Sequence, residues 1–139
     1  MNGEYQLLNP EEREQIAQRL ASGLDAEPSV VFAYLYGSFV EPRPFRDIDV
    51  GVYLDGVPVD RAAGVALMLS ESLSARLGMP VDVRALNAAP VSFVYHVLRG
   101  RLLVCRDEAI LGAIIEQTAS RYLDIAPLLR QSAKEAFTS

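Results

Sequence analysis

Two aspartates, Asp47 and Asp49, stand two positions apart in Asp47-Ile48-Asp49-Val50-Gly51-Val52-Tyr53-Leu54, where Ile48, Val50, Val52 and Leu54 supply an alternating apolar face. Residues two apart on a strand project from the same face, so both carboxylates address one spot. Paired carboxylates repel and raise each other's proton affinity unless a cation lies between them. Hard oxygen ligands at this spacing suit Mg2+, which also uses waters and substrate phosphates. An Asp-x-Asp by itself is common and more often marks a solvated strand edge. Upstream, Gly37-Ser38 ends the apolar run Val30 to Tyr36. Glycine there lets the backbone approach a ligand closely, and the serine hydroxyl and the amides can hold a phosphate, although Gly-Ser is also ordinary turn chemistry. Taken together, the buried strand, the Gly-Ser step, the short loop and the strand opening with Asp-x-Asp set a phosphate cradle beside a metal pair in a hairpin-like unit. Asp82 lies near the start of a further alternating stretch, Val81 to Leu86, on the side opposite Val81 and Val83. If that strand pairs beside the Asp47–Asp49 strand, three carboxylates converge. Such a cluster can hold two metals, one activating the attacking oxygen and one clamping the triphosphate and leaving group.

Positioning these groups requires a scaffold, and the pattern predicts one. A first helix begins at Asn9-Pro10, with Asn9 as N-cap, Pro10 at the first helical position and Glu11-Glu12 in the first turn. Its buried stripe is Ile16, Ala17, Leu20 and Leu24. Val30 to Tyr36 reads as a central strand covered on both faces. Asp60 caps a second helix that runs to about Leu77 through Val65, Leu69 and Leu73, and Gly78 closes it. Val81 to Leu86 is a third strand, Pro90 to Leu98 a short helix and Arg101 to Cys105 a short strand. From Asp107 onward the pattern is helical, with a break or bend at Pro127. The order α-β-β-α-β-α-β-α makes an α+β domain with a small sheet. One domain is expected over residues 1–139, with a core at about 29–106 and a C-terminal helical segment at about 107–137.

Other residues with chemical potential have plainer roles. Arg43 and Arg46 can reach a triphosphate from the Phe39 to Arg46 loop, although exposed loop arginines are commonly just solvated. His96 is the only histidine, which leaves no Ser-His or Cys-His hydrolase and no histidine-rich metal site. Its place on a short helix points to an ordinary structural role. Cys105, in an apolar run, is expected to be buried and inert. Phe32, Tyr34 and Tyr36 belong to the core.

Composition narrows the function classes. A formal net charge of −5 repels phosphate backbones and argues against general nucleic-acid binding. A nucleotide substrate stays compatible, because a bound divalent metal reverses the field locally. No apolar run approaches the ~20 residues that cross a bilayer. Met1-Asn2-Gly3-Glu4-Tyr5 has no basic segment leading into an apolar one, so no signal peptide is expected. One cysteine excludes an internal disulfide and suits a reducing compartment. A cytoplasmic location is the expectation.

The segment YGSFVEPRPFRDIDVGVYL, residues 36–54, resembles the signature of the DNA polymerase β-like nucleotidyltransferase superfamily: Gly-Ser, a spacer, then Asp-x-Asp. MPVDVRALNAAPVSFVYHVLRGRLLVCRDE, residues 79–108, resembles the minimal nucleotidyltransferase (MNT) subfamily, in which a third acidic residue sits in this strand. RYLDIAPLL, residues 121–129, is similar to that subfamily's C-terminal helix. The resemblance spans Ser29 to Leu129. It implies a polymerase β palm-like fold, a small mixed sheet with helices packed on it and C-terminal helices. It also implies Mg2+, as two ions, and ATP as the nucleotide, with AMP transferred to an acceptor hydroxyl and pyrophosphate released. By position, Gly37 and Ser38, with Arg43 and Arg46, would bind the triphosphate. Asp47, Asp49 and Asp82 would hold the metals, and Asp82 would help to activate the acceptor. MNT proteins commonly act as antitoxins beside a HEPN ribonuclease toxin, attaching AMP units to a toxin tyrosine. Two departures stand out: the Ser38–Asp47 spacer is shorter than usual and holds Pro42 and Pro44, and Arg46 replaces a frequent serine.

Three whole-protein readings follow. The first is an adenylyltransferase antitoxin that modifies a HEPN toxin encoded nearby. The second is a non-catalytic antitoxin that masks its toxin, which would have no use for three converging acids. The third is a small-molecule nucleotidyltransferase, which generally needs a second helical domain; the segment after Asp107 is too short for one. Ile110, Leu111, Ile114, Ile115, Tyr122, Leu123 and Ile125, with Pro127, give the C-terminal helices more apolar surface than a small sheet can cover. That surface is expected to dock the partner or a second copy.

Overall fold

In a computed structural model, which describes residues 7–40 and 45–138 apart from the side chains at 38, 129 and 132–138, the apolar run Val30–Tyr36 forms strand β1. All seven of its residues are buried, as a strand covered on both faces requires. β1 lies inside a four-stranded mixed sheet of order β3-β2-β1-β4, with β2 at Ile48–Leu54, β3 at Val81–Ala85 and β4 at Arg101–Cys105. β1 is antiparallel to both β2 and β4. β2 and β3 run parallel, and helix α2, Val59–Leu77, supplies the crossover that a parallel pair needs. Helix α1 spans Pro10–Asp25, α3 spans Val91–Leu98 and α4 spans Glu108–Thr138.

The sheet has two apolar layers. On one face, Leu20 and Leu24 of α1 and Leu69 and Leu73 of α2 pack on Ala33, Leu35, Val50, Val52, Val81 and Val83. On the other, Val94 and Val97 of α3 and Leu111 of α4 cover Phe32, Tyr34 and Tyr36. Alternation along β2 therefore sends Ile48, Val50, Val52 and Leu54 into the first layer, and leaves Asp49, Gly51 and Tyr53 toward the second.

Local chemistry explains most element ends. Asn9 makes a complete capping box: its Oδ1 accepts from the Glu12 amide at 2.8 Å, and its own amide donates to Glu12 Oε1 at 3.1 Å. Gly78 ends α2 in the left-handed region at φ 70°. Asp107 Oδ1 accepts from the Ala109 and Ile110 amides at 3.0 and 3.1 Å and opens α4.

Strand β3 is at the edge of the sheet, and its outward amides do not face solvent unpaired. Those of Val83 and Val81 donate to the hydroxyls of Ser70 and Ser74 on α2, each at 2.8 Å. This seals the edge and fixes β3 against the helix that precedes it.

Four expectations are corrected. Asp60 does not cap α2: the helix starts at Val59 behind Pro58 with no side-chain cap, and Asp60 sits in the first turn, where its charge meets the helix's positive end. Pro127 ends no helix, because α4 continues through it to Thr138. Pro127 is exposed, so the carbonyl that loses its amide partner is free to turn to water. Cys105 is half-buried rather than enclosed, because it lies on edge strand β4. Phe39 and Phe45, assigned to a loop, are core residues, 4% and 0% exposed. On α4, Leu111 is buried, Ile110, Ile114, Tyr122 and Ile125 are partly covered, and Ile115 and Leu123 remain exposed. Tyr122 stacks on Tyr95 of α3 with ring centres 3.8 Å apart, joining the two helices. Among the described residues no helix is long and apolar enough to cross a membrane.

Candidate active site

The antiparallel register of β1 and β2 sets Tyr36 opposite Asp49. The next residue, Gly37, turns the chain into the short 3₁₀ segment Gly37–Val40 with φ 79°, a conformation natural to glycine and costly for other residues. A β-carbon at Gly37 would lie 2.6 Å from Asp49 Oδ2. The Asp49 carboxylate therefore rests against the bare glycine backbone, and two sequence-predicted features meet in direct contact.

Across the other edge of β2, the parallel register sets Asp82 opposite Asp49. Asp47 lies immediately before β2 and shares an open cleft of about 610 Å³ with Asp82, floored by Gly78, Met79 and Pro80. Asp49 is the enclosed member of the three. Burial, then the charges of Asp82 and Asp47, push its pKa up to about 6 from an ordinary 3.8. Tyr36, above it, is pushed up to about 12 by burial and by the Asp49 charge.

The two outer acids have basic neighbours. Arg84, two residues along β3 on the same face, donates from Nε to Asp82 Oδ2 at 3.1 Å. Arg46 Nε stands 3.9 Å from Asp47 Oδ2. Among the described residues no three acidic, histidine or cysteine side chains form a ready-made ion cage. Mutual repulsion and these two arginines account for that spread. The donor set nonetheless fits Mg2+: all oxygen, one carboxylate held at raised proton affinity by burial and two like charges, and a glycine that leaves the backbone open beside it. Ser38 continues the 3₁₀ turn, and its side chain lies outside the described residues, as do Pro42, Arg43 and Pro44 entirely. The structure therefore brings Gly37, Asp47, Asp49 and Asp82 to one end of the sheet, with Arg46 at the cleft's rim.

A model of the family described as polymerase beta, nucleotidyltransferase, matches residues 18–109, which contain every one of these groups. The chain belongs to this family. A sequence search of curated proteins finds no match. The nucleotidyltransferase fold is matched by solved structures of MNT antitoxins. One, from a complex of tri-AMPylated Shewanella oneidensis HEPN toxin with MNT antitoxin, gives a TM-score of 0.67 at 20% identity over 91% of this chain and 99% of that one. The MntA–HepT toxin–antitoxin structure gives 0.66 at 19% identity, with the same coverage of both chains. A toxin–antitoxin structure with AMP-PNP gives 0.63 at 21% identity over 94% of this chain and all of that one, 100%. At these identities the likeness is one of fold. The family typically uses Mg2+ and ATP.

Three features of this candidate site lie outside the sequence-predicted set. Arg84, two positions after Asp82 on β3, is the cation bound to it. His96 is exposed at the end of α3, with its ring edge-on to Tyr36 at 5.7 Å, and it lines a cavity beside Gly37. Phe39 and Phe45 pack edge-to-face at 4.7 Å under the Arg13 guanidinium, which lies 5.2 and 5.1 Å from their rings and donates to the Phe39 carbonyl. Both flanks of the segment between Gly37 and Asp47 are thereby fixed to α1. The last two depend on contacts distant in sequence, whereas the Arg84–Asp82 pair spans only two residues of one strand.

Proposed function

We propose that this chain is a Mg2+-dependent nucleotidyltransferase that moves AMP from ATP to a hydroxyl of a HEPN-type partner protein, in the manner of an antitoxin. The observation that carries the reading is Asp49: one carboxylate in contact with Gly37, in the turn that follows β1, and in register with Asp82 on β3. Asp47, Asp49 and Asp82 would hold the metal, one or two ions, whose charge would offset that of the phosphates and of the departing pyrophosphate. The Gly37-Ser38 turn offers the triphosphate a close backbone approach. Arg46 at the rim, with Arg43, adds positive charge to the same region.

In the transfer, the acceptor oxygen forms a bond to the α-phosphorus, the bond from that phosphorus to the bridging oxygen breaks, and pyrophosphate leaves. Asp82, 46% exposed by side chain in the open cleft, would take the hydroxyl proton, and its exposure there supports that role. Asp49 stays enclosed and orients. The exposed side of α4, with Ile115 and Leu123, is the surface offered to the partner. The MNT antitoxins with this fold, crystallised with HEPN toxins, support that choice of acceptor.

The test uses labelled nucleoside triphosphates, Mg2+ and a HEPN partner encoded nearby, with Asp47→Asn/Asp49→Asn as control. Label on the partner from the wild type alone, and from ATP above other nucleotides, supports the reading. Neutralisation of the partner without label, equal in the double variant, would replace it with a masking antitoxin.

A further inference from the structure

On the far side of Gly37 from the acidic cleft lies a second cavity, of about 270 Å³, lined by Tyr36, Gly37, Val40, His96, Arg99 and Gly100. Its lining contains two basic side chains and no acid, in a chain whose net charge is −5. The pairing follows from the turn between α3 and β4. A β-carbon at Gly100 would lie 2.0 Å from the Leu35 carbonyl oxygen, so this turn presses onto β1 at a distance only glycine permits. That approach brings the last turn of α3, carrying His96, and its C-cap Arg99 beside Gly37.

The two side chains are available for a ligand. Arg101, two residues on, is committed through both terminal nitrogens to Glu14 at 2.9 and 2.8 Å. Arg99 has no acidic partner among the described residues, and its guanidinium only overlies the Tyr95 ring at 6.0 Å. His96 contacts Tyr36 through its ring. The helix-end carbonyls of His96 and Val97 are capped by the Arg99 and Gly100 amides at 3.3 and 2.9 Å, so an anion here would meet side chains rather than bare carbonyls.

Size limits the ligand further. Pockets that take drug-sized molecules span about 300–1,000 Å³, so this cavity of about 270 Å³ admits part of a nucleotide and not the whole. We propose that His96 and Arg99 form a polyphosphate grip, which takes the β- and γ-phosphates of the nucleotide whose α-phosphate faces Asp49. The inference rests on the nucleotidyltransferase reading for its ligand, and it adds a binding element from α3 that the Gly-Ser and Asp-x-Asp motifs do not contain. A bidentate guanidinium suits a phosphate group better than an ammonium would.

Calorimetric titration of the full chain in excess Mg2+ with inorganic tripolyphosphate, ATP and AMP tests the grip. Arg99→Gln and His96→Gln are each expected to weaken tripolyphosphate and ATP about tenfold, the ordinary worth of one charge-assisted hydrogen bond, and to leave AMP unchanged. Arg99→Lys should recover only part of the loss. Both side chains are exposed, so the variants fold, and unchanged melting curves would document it. Tripolyphosphate binding equal in wild type and both variants, or absent from the wild type, overturns the proposal. The outcome separates from the transferase reading. A grip that binds tripolyphosphate in a chain that labels no partner sinks only the transferase. A chain that labels its partner equally well with both variants sinks only the grip.

Discussion

Asp49 on β2 and Asp82 on β3 stand in register across a parallel strand pair, and Asp49 also lies against the backbone of Gly37 at the end of β1. Three strands thus deliver one group each to the same end of the sheet. The consequences can be measured one residue at a time.

The raised pKa of Asp49 gives stability a pH dependence of defined sign. The folded value, about 6, exceeds the ordinary 3.8, so the folded chain binds more protons than the unfolded one between these values. Stability therefore falls as pH rises from about 4 to 6 and is level above that. The unscreened cost is about 3 kcal/mol, and solvent at this half-exposed site reduces it to about 1 kcal/mol. Urea melts without divalent metal should show this slope in the wild type and not in Asp49→Asn. Identical slopes in both would assign the pH dependence elsewhere. Adding Mg2+ at pH 7.5 should raise the wild-type melting temperature and not that of the variant.

Gly37→Ala inserts a methyl 2.6 Å from Asp49 Oδ2 at a left-handed φ of 79°. The expected cost is about 1–2 kcal/mol in denaturant melts, together with loss of Mg2+-dependent nucleotide binding as the carboxylate is displaced. Wild-type affinity in a folded Gly37→Ala chain would show that the contact between the two residues does not matter.

Ser70 and Ser74 hold β3, and through it Asp82, without touching the cleft's acids. Ser70→Ala/Ser74→Ala leaves the Val83 and Val81 amides without their hydroxyl partners. A loss of about 1–3 kcal/mol per site is expected at most, less where water replaces the hydroxyl. Amide hydrogen exchange should accelerate at Val81 and Val83 before the rest of the sheet. Unchanged protection there would mean the edge is sealed by something else.

Arg84→Ala frees Asp82 from its 3.1 Å partner. With one fewer cation beside the acids, Asp49 should titrate higher still, since Arg84 is one of the charges that holds it down. A carboxyl-carbon NMR titration of Asp49 reads this directly, and a downward or absent shift contradicts it.

Legibility in the sequence tracked the range of the interactions. β2 buries one face and presents the other, so its alternation disclosed where Asp47 and Asp49 point. The capping box at Asn9 and the αL glycine at Gly78 are local chemistry and were equally readable. Asp82's place beside Asp49 was conditional on which strands pair, and the parallel β2–β3 crossover through α2 supplied the condition. The place of His96 beside Gly37 was not legible, because it depends on Gly100 letting the α3–β4 turn touch Leu35, a contact between residues far apart in the chain. Phe39 and Phe45 read as loop residues because the cation that covers them, Arg13, comes from α1. Pro127 carried a strong local signal that the exposed side of a long helix overrides.

The most direct test of the account is the intact mass of a HEPN-type partner after incubation with this chain, ATP and Mg2+. The account predicts that the partner gains the mass of one or more AMP units, that the gain disappears with EDTA and with Asp49→Asn, and that neutralisation of the partner disappears with it. A partner neutralised at unchanged mass, equally by wild type and Asp49→Asn, would contradict it.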